Sequence, residues 1–271
     1  VGQARSRSER PTGAARVAVV VPVRNRVPLT IRFLESFREV DYPNYTMVVV
    51  DDGSTDGTAE TLARRFPEVV RLAGDGNLWW SRSTNLGVRY ALAHGYTHVL
   101  TMNNDTRVRP DFLTRLVETS LANPRSVVGC RIHFLHNPEV IWAVGGFTRW
   151  EQGVVLQLEG HGGTEEQVLP GRPNPCPVDV LTGCGTLVPA ACYRDIGLYD
   201  AYSCPQYHAD SEFVLRARKR GYRALVDLDA VVWNDAAATC TSKNLFRRRS
   251  PWFWPALLAI HLRYCPRRHM A

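Results

Sequence analysis

The sequence predicts an α/β fold built on a Rossmann-like, doubly wound, mostly parallel sheet. Three observations carry that expectation. Short β-branched runs alternate with amphipathic helical stretches from residue 17 to about residue 122. The run Val48–Val50 is apolar throughout rather than alternating, as strands covered on both faces are. Two of the runs end abruptly in polar, acidic segments, Asp51-Asp52-Gly53-Ser54-Thr55 and Asn103-Asn104-Asp105-Thr106. Open parallel sheets bind ligands at the carboxyl ends of such strands.

The elements follow in order. Val17–Val23 is the first strand. Asn25 can cap a helix whose Leu29, Phe33, Leu34 and Phe37 fall on one face. Val48–Val50 forms the second strand, and Gly53 permits the positive φ of a tight turn after it. Asp56 suits a cap for a helix over Thr58–Phe66. Val69–Leu72 is a strand, Ser81–His94 a helix and Thr97–Met102 a strand. Pro110 suits the start of a helix that runs to about Ala122.

Beyond Val127 the texture changes. Strand-like pieces occur at Val127–Phe134, Val140–Phe147 and Val154–Leu158. Residues 159–177 are rich in Gly and Pro and read as a loop. Thr182-Gly183-Cys184-Gly185-Thr186 allows close approach of backbone to a ligand. Ala209–Arg220 is a helix, and Val231–Trp233 a last short strand. The expected organisation is a disordered basic tail over 1–16, a folded domain over 17–246 in two halves, 17–126 and 127–246, and a basic amphipathic segment over 247–271.

Composition narrows the function. The chain has 271 residues, 45% of them hydrophobic, enough for a substantial core. No apolar run reaches the roughly 18–20 residues of a membrane span. No signal-peptide core precedes residue 17, and the seven cysteines form no C-x-x-C pair. A reducing, cytoplasmic setting is expected. The net charge of +7 is concentrated at the ends: residues 1–16 carry +3, residues 247–271 carry +6, and the body is left at −2. A body without a basic groove argues against nucleic acid as the partner.

The ordered motifs resemble glycosyltransferase family 2, inverting enzymes of GT-A fold. They are Val19-Val20-Val21-Pro22-Val23-Arg24-Asn25-Arg26, Val50 through Thr58, Asn85-Leu86-Gly87, Asn103-Asn104-Asp105-Thr106, and His208-Ala209-Asp210-Ser211-Glu212-Phe213 running on to Tyr222. Gly76-Asn77-Leu78-Trp79-Trp80 resembles a subgroup that includes rhamnosyltransferases. The resemblance implies transfer of a sugar from a UDP- or dTDP-linked donor to an acceptor hydroxyl, with 17–126 as the nucleotide-binding half and 127–246 as the acceptor and catalytic half. The acceptor would be a glycan, a lipid-linked carrier or a small molecule.

Residue roles follow from the resemblance and from chemistry together. Asp51 accepts the N3–H of uracil or thymine, and Asp52 reaches the ribose. Pro22, Val23 and Arg24 flank the base. Asp105, the last acid of the family's D-x-D motif, holds Mn2+ or Mg2+, which prefer oxygen ligands; Asn103 stands where the motif has its first acid. Asn77, Trp79, Asn104 and Gly183 complete the donor side, and Trp80, Trp142 and His208 the acceptor side. Asp210 is the general base. The helix N-terminus beneath it and the absence of an acid at Ala209 would lower its pKa. Asp235 stands where many members carry a metal-reaching His.

Two other readings compete. A nucleotidyltransferase would carry a Gly-rich phosphate loop after the first strand, and Pro22–Arg26 has no Gly. A catalytically silent binding module is suggested by Asn103 and Ala209. The C-terminal segment, with arginines around a short Trp- and Leu-rich stretch, suits either a membrane-interface helix or a helix packed on the body. The first would place the protein at the inner face of the membrane.

Overall fold

A computed structural model describes residues 15–152, 154–235 and 253–266. In chain order the elements are β1 (Val17–Val23), α1 (Val27–Phe37), β2 (Tyr45–Asp51), α2 (Thr58–Arg65), β3 (Val70–Ala73), α3 (Trp79–Ala93), β4 (His98–Thr101), β5 (Thr106–Val108), α4 (Phe112–Ala122) and β6 (Ser126–Phe134). They continue with β7 (Asn137–Ala143), β8 (Gly146–Arg149), β9 (Val154–Leu158), α5 (Glu165–Val168), β10 (Cys176–Pro177), β11 (Thr186–Pro189), α6 (Ala190–Ile196), α7 (Ala209–Lys219), β12 (Arg223–Asn234) and α8 (Phe253–Tyr264).

The main sheet has the order β10-β12-β6-β11-β4-β1-β2-β3, with β5 on β12 and β7 on β6. β1 to β4 are mutually parallel, β11 runs against both its neighbours, and β6 and β12 are parallel. This is the mixed, mostly parallel, Rossmann-like sheet that the sequence predicts. β1 lies among its neighbours because Val17 to Val21 offer apolar side chains to both faces, and all are buried. On one face Ala18, Val20, Val48 and Val50 share a core with Val88, Tyr193 and Phe213. On the other, Val17, Val19, Val21 and Val49 share one with Phe33, Phe37, Leu62 and Leu116.

The Asn85-Leu86-Gly87 motif is structural. The Asn85 side chain donates to Tyr199 O at 2.9 Å and accepts from Tyr199 N at 3.0 Å, tying α3 to the loop before α7. Gly87 lets α3 lie directly on β1: a Cβ there would sit 2.4 Å from Val20 Cγ1.

Some expected boundaries move. Residues 1–14 of the expected tail lie outside the described residues, but Ala15 is buried and Arg16 donates from its backbone to Thr97 Oγ1 at 2.8 Å. The run Val140–Phe147 is broken at Gly145, whose φ is +62°, so β7 and β8 are separate strands in separate sheets. β12 is far longer than expected because a bulge between Asp227 and Val231 absorbs the acids that interrupt its apolar pattern. Asp227 satisfies that bulge, accepting from Asp229 N at 2.9 Å and Ala230 N at 3.2 Å. The loop 159–177 contains the short α5, held by a capping box of Thr164 and Gln167.

Residues 247–252 and 267–271 of the C-terminal segment lie outside the described residues. α8 packs one face on the body through Ala256 and Ile260, both buried. Among the described residues no helix is long and apolar enough to cross a membrane.

Candidate active site

The parallel register aligns the carboxyl ends of three strands: Val23 lies opposite Asp51, and Asp51 opposite Ala73. The turn after β4 joins them through Met102 N, which donates to Val20 O at 3.0 Å. Four loops therefore converge on one edge of the sheet, as the sequence predicts for a ligand site.

The two adjacent acids at the end of β2 have different tasks. Asp51 is half-buried, and its Oδ1 accepts from Ser54 N at 3.0 Å, shaping the turn. Asp52 is 3% exposed. Its Oδ1 accepts from Gly76 N at 2.9 Å and Leu78 N at 3.1 Å, and its Oδ2 from Trp79 N at 3.2 Å. Its carboxylate anchors the loop that opens α3, where a helix N-terminus favours negative charge. The close packing requires glycine: a Cβ at Gly74 would lie 2.7 Å from Asp52 Oδ1, and one at Gly53 2.9 Å from Gly76 Cα. The Arg24 guanidinium, exposed, donates to Gly76 O from across the cleft. Asp56 accepts from Thr58 N at 3.2 Å and from Val27 N at 2.9 Å, so one carboxylate serves the starts of α2 and α1.

Trp79, the first residue of α3, has a φ of +57°, a rare conformation for a bulky side chain. The Asp52 bond to its N–H holds it there, and its indole is 45% exposed at the cleft. Trp80 turns inward. Its Nε1 donates to Asn103 Oδ1 at 3.3 Å, and its N–H donates to Gln206 Oε1 at 3.0 Å. Its ring lies against Gly183, where a Cβ would come within 2.5 Å of Cζ2, and meets Tyr199 edge-on at 5.2 Å. Trp80 is thus a wedge joining the Asn103 turn, the Gly183 loop and the loop before α7. Asn77 is exposed beside it and donates its N–H to Asp75 Oδ1 at 2.8 Å.

Several expected contacts belong to the scaffold. The Val23 side chain is buried in the core; its carbonyl accepts from Asp52 N at 2.9 Å, and only backbone reaches the edge. Pro22, half-buried, pairs with Val50. The Asn104 amide donates to Thr30 Oγ1 at 2.9 Å, fixing α1 to the turn after β4. The Gly183 N–H is taken by Asp210. Trp142 is half-buried against the α1 and α4 core, and its carbonyl faces His161 Nδ1 at 2.8 Å. No described contact brings it to the loops around Asp210.

Asp105 is buried in that turn. Its carbonyl accepts from Asp235 N at 2.8 Å, which brings the end of β12 to its side. The Asp235 carboxylate faces His136 at 3.4 Å and Arg32 at 4.0 Å. Among the described residues no group of three or more His, Cys, Asp or Glu gathers around a point. Cys184 lies close enough that the charge of Asp105 adds to burial in pushing its thiol up to about 12. The donor set is therefore one hard carboxylate with a protonated thiol nearby. It fits a dication that prefers oxygen and draws most of its ligands from a bound diphosphate and water.

Asp210 opens α7. Its Oδ2 accepts from Gly183 N at 2.5 Å and its Oδ1 from Ser211 N at 2.8 Å. Burial is the largest influence on its pKa and raises it; the two N–H donors oppose this without reversing it. The expected lowering by the helix N-terminus is thus outweighed by desolvation. His208 caps the helix with φ +64°, and burial pushes its pKa down to about 4, leaving a neutral imidazole and a weak base. Glu212, one turn into the core, is 1% exposed. It accepts from Arg216 Nη2 at 2.9 Å, Arg263 Nη1 at 3.1 Å and Tyr264 Oη at 2.6 Å. Sequence reasoning missed Asp52 as an anchor, Gln206 and this Glu212 hub. The glycines at 53, 74 and 76 were the available signal for the first.

The profile of the family described as Glycosyl transferase family 2 matches residues 18–164, just over half the chain. The chain belongs to glycosyltransferase family 2. It is 28% identical over 186 residues to an uncharacterized protein of Mycobacterium tuberculosis, covering 66% of this chain and 64% of that one. It is 23% identical over 175 residues to an uncharacterized glycosyltransferase of Rickettsia bellii, covering 64% of this chain and 23% of that one. The chain thus spans somewhat under two-thirds of the first relative. Among solved structures, GalNAc-T7 with UDP, GalNAc and Mn2+ superposes with a TM-score of 0.66 at 13% identity, over 82% of this chain and 44% of that one. The mannosyltransferase PcManGT of Pyrobaculum calidifontis with GDP-Man and Mn2+ gives 0.59 at 19% identity, over 93% and 76%. These likenesses agree on the GT-A fold.

Proposed function

We propose that this family 2 protein is an inverting glycosyltransferase using a UDP- or dTDP-sugar, with Asp210 as its base. The observation that carries the reading is the Asp210 carboxylate: half-buried, raised in pKa by desolvation and held by the Gly183 N–H. A general base works best when its pKa approaches the working pH.

The chain's residues divide the work as follows. The Asp51 Oδ2 accepts the pyrimidine N3–H, a donor that cytosine lacks. The exposed Trp79 indole offers a face to the donor. Asp105 holds the diphosphate end through a divalent cation, which when bound neutralises the charge that grows on the leaving group. The acceptor hydroxyl gives its proton to Asp210 as its oxygen bonds the anomeric carbon and the bond to the diphosphate oxygen breaks. One displacement of this kind inverts the anomeric centre. Neighbours of the same fold were solved with UDP or GDP-mannose and Mn2+, which supports a nucleotide-sugar donor and a cation. The hexosyl, rhamnosyltransferase-like and lipid-linked-acceptor readings rest on the sequence resemblance.

The test is a thermal-shift screen of nucleotide sugars with Mn2+, followed by turnover with each binder. Stabilisation by UDP- or dTDP-sugars with donor hydrolysis supports the reading. Binding without any turnover would leave a nucleotide-sugar binding module instead.

A further inference from the structure

α8 has two faces of opposite character. The inner face is packed: Ala256 and Ile260 are buried, and Arg263 and Tyr264 bond the Glu212 hub. The outer face carries Trp254, Leu258 and Leu262, four residues apart and therefore stacked along one side of the helix. They are 63%, 58% and 64% exposed, three of the few large apolar side chains so exposed among the described residues. Packing on the body and contact with something else are therefore not alternatives; they use different sides of the same helix.

We propose that the outer face of α8 docks this protein on an anionic phospholipid surface. Charge identifies the occupant. Residues 247–271 hold six arginines and no acid, with Arg247-Arg248-Arg249 before the helix and Arg267-Arg268 after it. A second copy meeting this face across a two-fold axis would bring the same cations against one another, an unfavourable pairing in an isologous contact. An anionic bilayer meets them with opposite charge, and each arginine near such a surface strengthens attachment roughly fivefold. Trp252 and Trp254 on the same short segment are the residue type that settles at headgroup level. A helix of 12 residues is too short to span and suited to lie in the interface.

The experiment sediments the full chain with vesicles of neutral phosphatidylcholine alone, or mixed with phosphatidylglycerol, at low and high salt. Single and paired changes Leu258→Glu and Leu262→Glu leave the inner face intact, and thermal denaturation checks that they fold. The expected result is pelleting with anionic vesicles only, weakening with salt, and a tenfold or greater loss in the paired variant at unchanged thermal midpoint. No pelleting of the wild type, or equal pelleting of wild type and variant, overturns the proposal. So does a concentration-dependent dimer, seen by analytical ultracentrifugation without lipid, that Leu258→Glu dissociates. Donor binding, measured separately, is independent of these outcomes, so failure here leaves the catalytic reading standing.

Discussion

The Asp210 carboxylate and the Gly183 backbone N–H lie 2.5 Å apart, joining the start of α7 to the loop before β11. Gly183 itself has no room for a side chain, because the Trp80 ring fills the space where its Cβ would be. Trp80 in turn bonds Asn103. Asp210 is thus positioned through a short relay that runs by Gly183 and Trp80 to Asn103, in the turn that also holds Asp105.

Replacing Asp210 by Asn keeps an oxygen acceptor for Gly183 N–H but removes the base. We expect turnover to fall by roughly 10²–10⁴-fold with donor affinity unchanged. The wild-type rate should fall with acidification through a pKa above the usual carboxylate range, since burial raises this group. A raised carboxyl pKa in the fold also makes its stabilising contribution greatest below the unfolded pKa and lost as pH rises through the folded one. Asp210→Asn should therefore flatten that part of the stability curve. Kinetics paired with denaturation between pH 4 and 8 measures both, and near-normal turnover removes Asp210 from the mechanism.

Asp52→Ala should damage the fold more than Asp51→Ala. The change strands the N–H groups of Gly76, Leu78 and Trp79, and a buried unsatisfied donor costs about 1–3 kcal/mol. It also frees Trp79 to leave its φ of +57°. Urea titration should show Asp52→Ala destabilised by at least about 2 kcal/mol. Asp51→Ala should mainly weaken UDP or dTDP binding in calorimetry. Equal stability of the two variants would refute the division of labour.

The sheet was legible because β1 and β2 carry apolar runs and the polar end of β2 marks the edge. Motif order made legible that the ends of β1 and β2 and the turn after β4 share one edge of the sheet. Less legible was what each acid does there. Asp51 and Asp52 are chemically identical neighbours, and nothing local marks Asp52 as the one that accepts from Gly76, Leu78 and Trp79. Asn104 and Val23 were read as donor contacts because they lie in the right turns; their side chains in fact point to Thr30 and the core. The direction of the Asp210 shift was misread because burial by loops distant in sequence has no local signature.

Acid should destabilise the fold through His98. Its ring lies between Thr97 Oγ1 at 3.0 Å and Ser120 Oγ at 3.3 Å, and burial pushes its pKa from 6.5 down to about 4. A depressed histidine pKa favours the neutral folded form, so its contribution is present above pH 6.5 and is lost as pH falls toward 4. The linkage amounts to roughly 3 kcal/mol over that window. His98→Gln should show a shallower loss of stability between pH 6.5 and 4, and an unchanged slope would place the acid-sensitive group elsewhere.

Asp105→Ala should abolish the dependence of UDP affinity on Mn2+ while leaving the metal-free affinity near that of the wild type. Asp51→Ala should weaken binding with or without the ion. Calorimetry with manganese and then with chelator separates the two. A wild type whose affinity ignores chelator would remove the cation from Asp105.

The Glu212 hub makes α8 part of the catalytic body. Its buried carboxylate is balanced by Arg216 from its own helix and by Arg263 and Tyr264 from α8. Tyr264 Oη, at 2.6 Å, has its own pKa raised by burial and by the hydrogen bond to Glu212, so it stays a proton donor to the carboxylate. Removing one partner of a buried charge leaves the charge under-solvated, and with Arg216 still present we expect about 1–3 kcal/mol from Tyr264→Phe or Arg263→Ala. A chain ending at Leu245 loses both partners and also uncovers the core beneath Ala256 and Ile260, so its thermal midpoint should fall by more than either point variant. Because Glu212 lies two residues from Asp210, turnover should fall with stability in the truncated chain, not survive it. A truncated chain with wild-type midpoint and wild-type donor hydrolysis would show that α8 is a dispensable appendage and that the hub does not support the base.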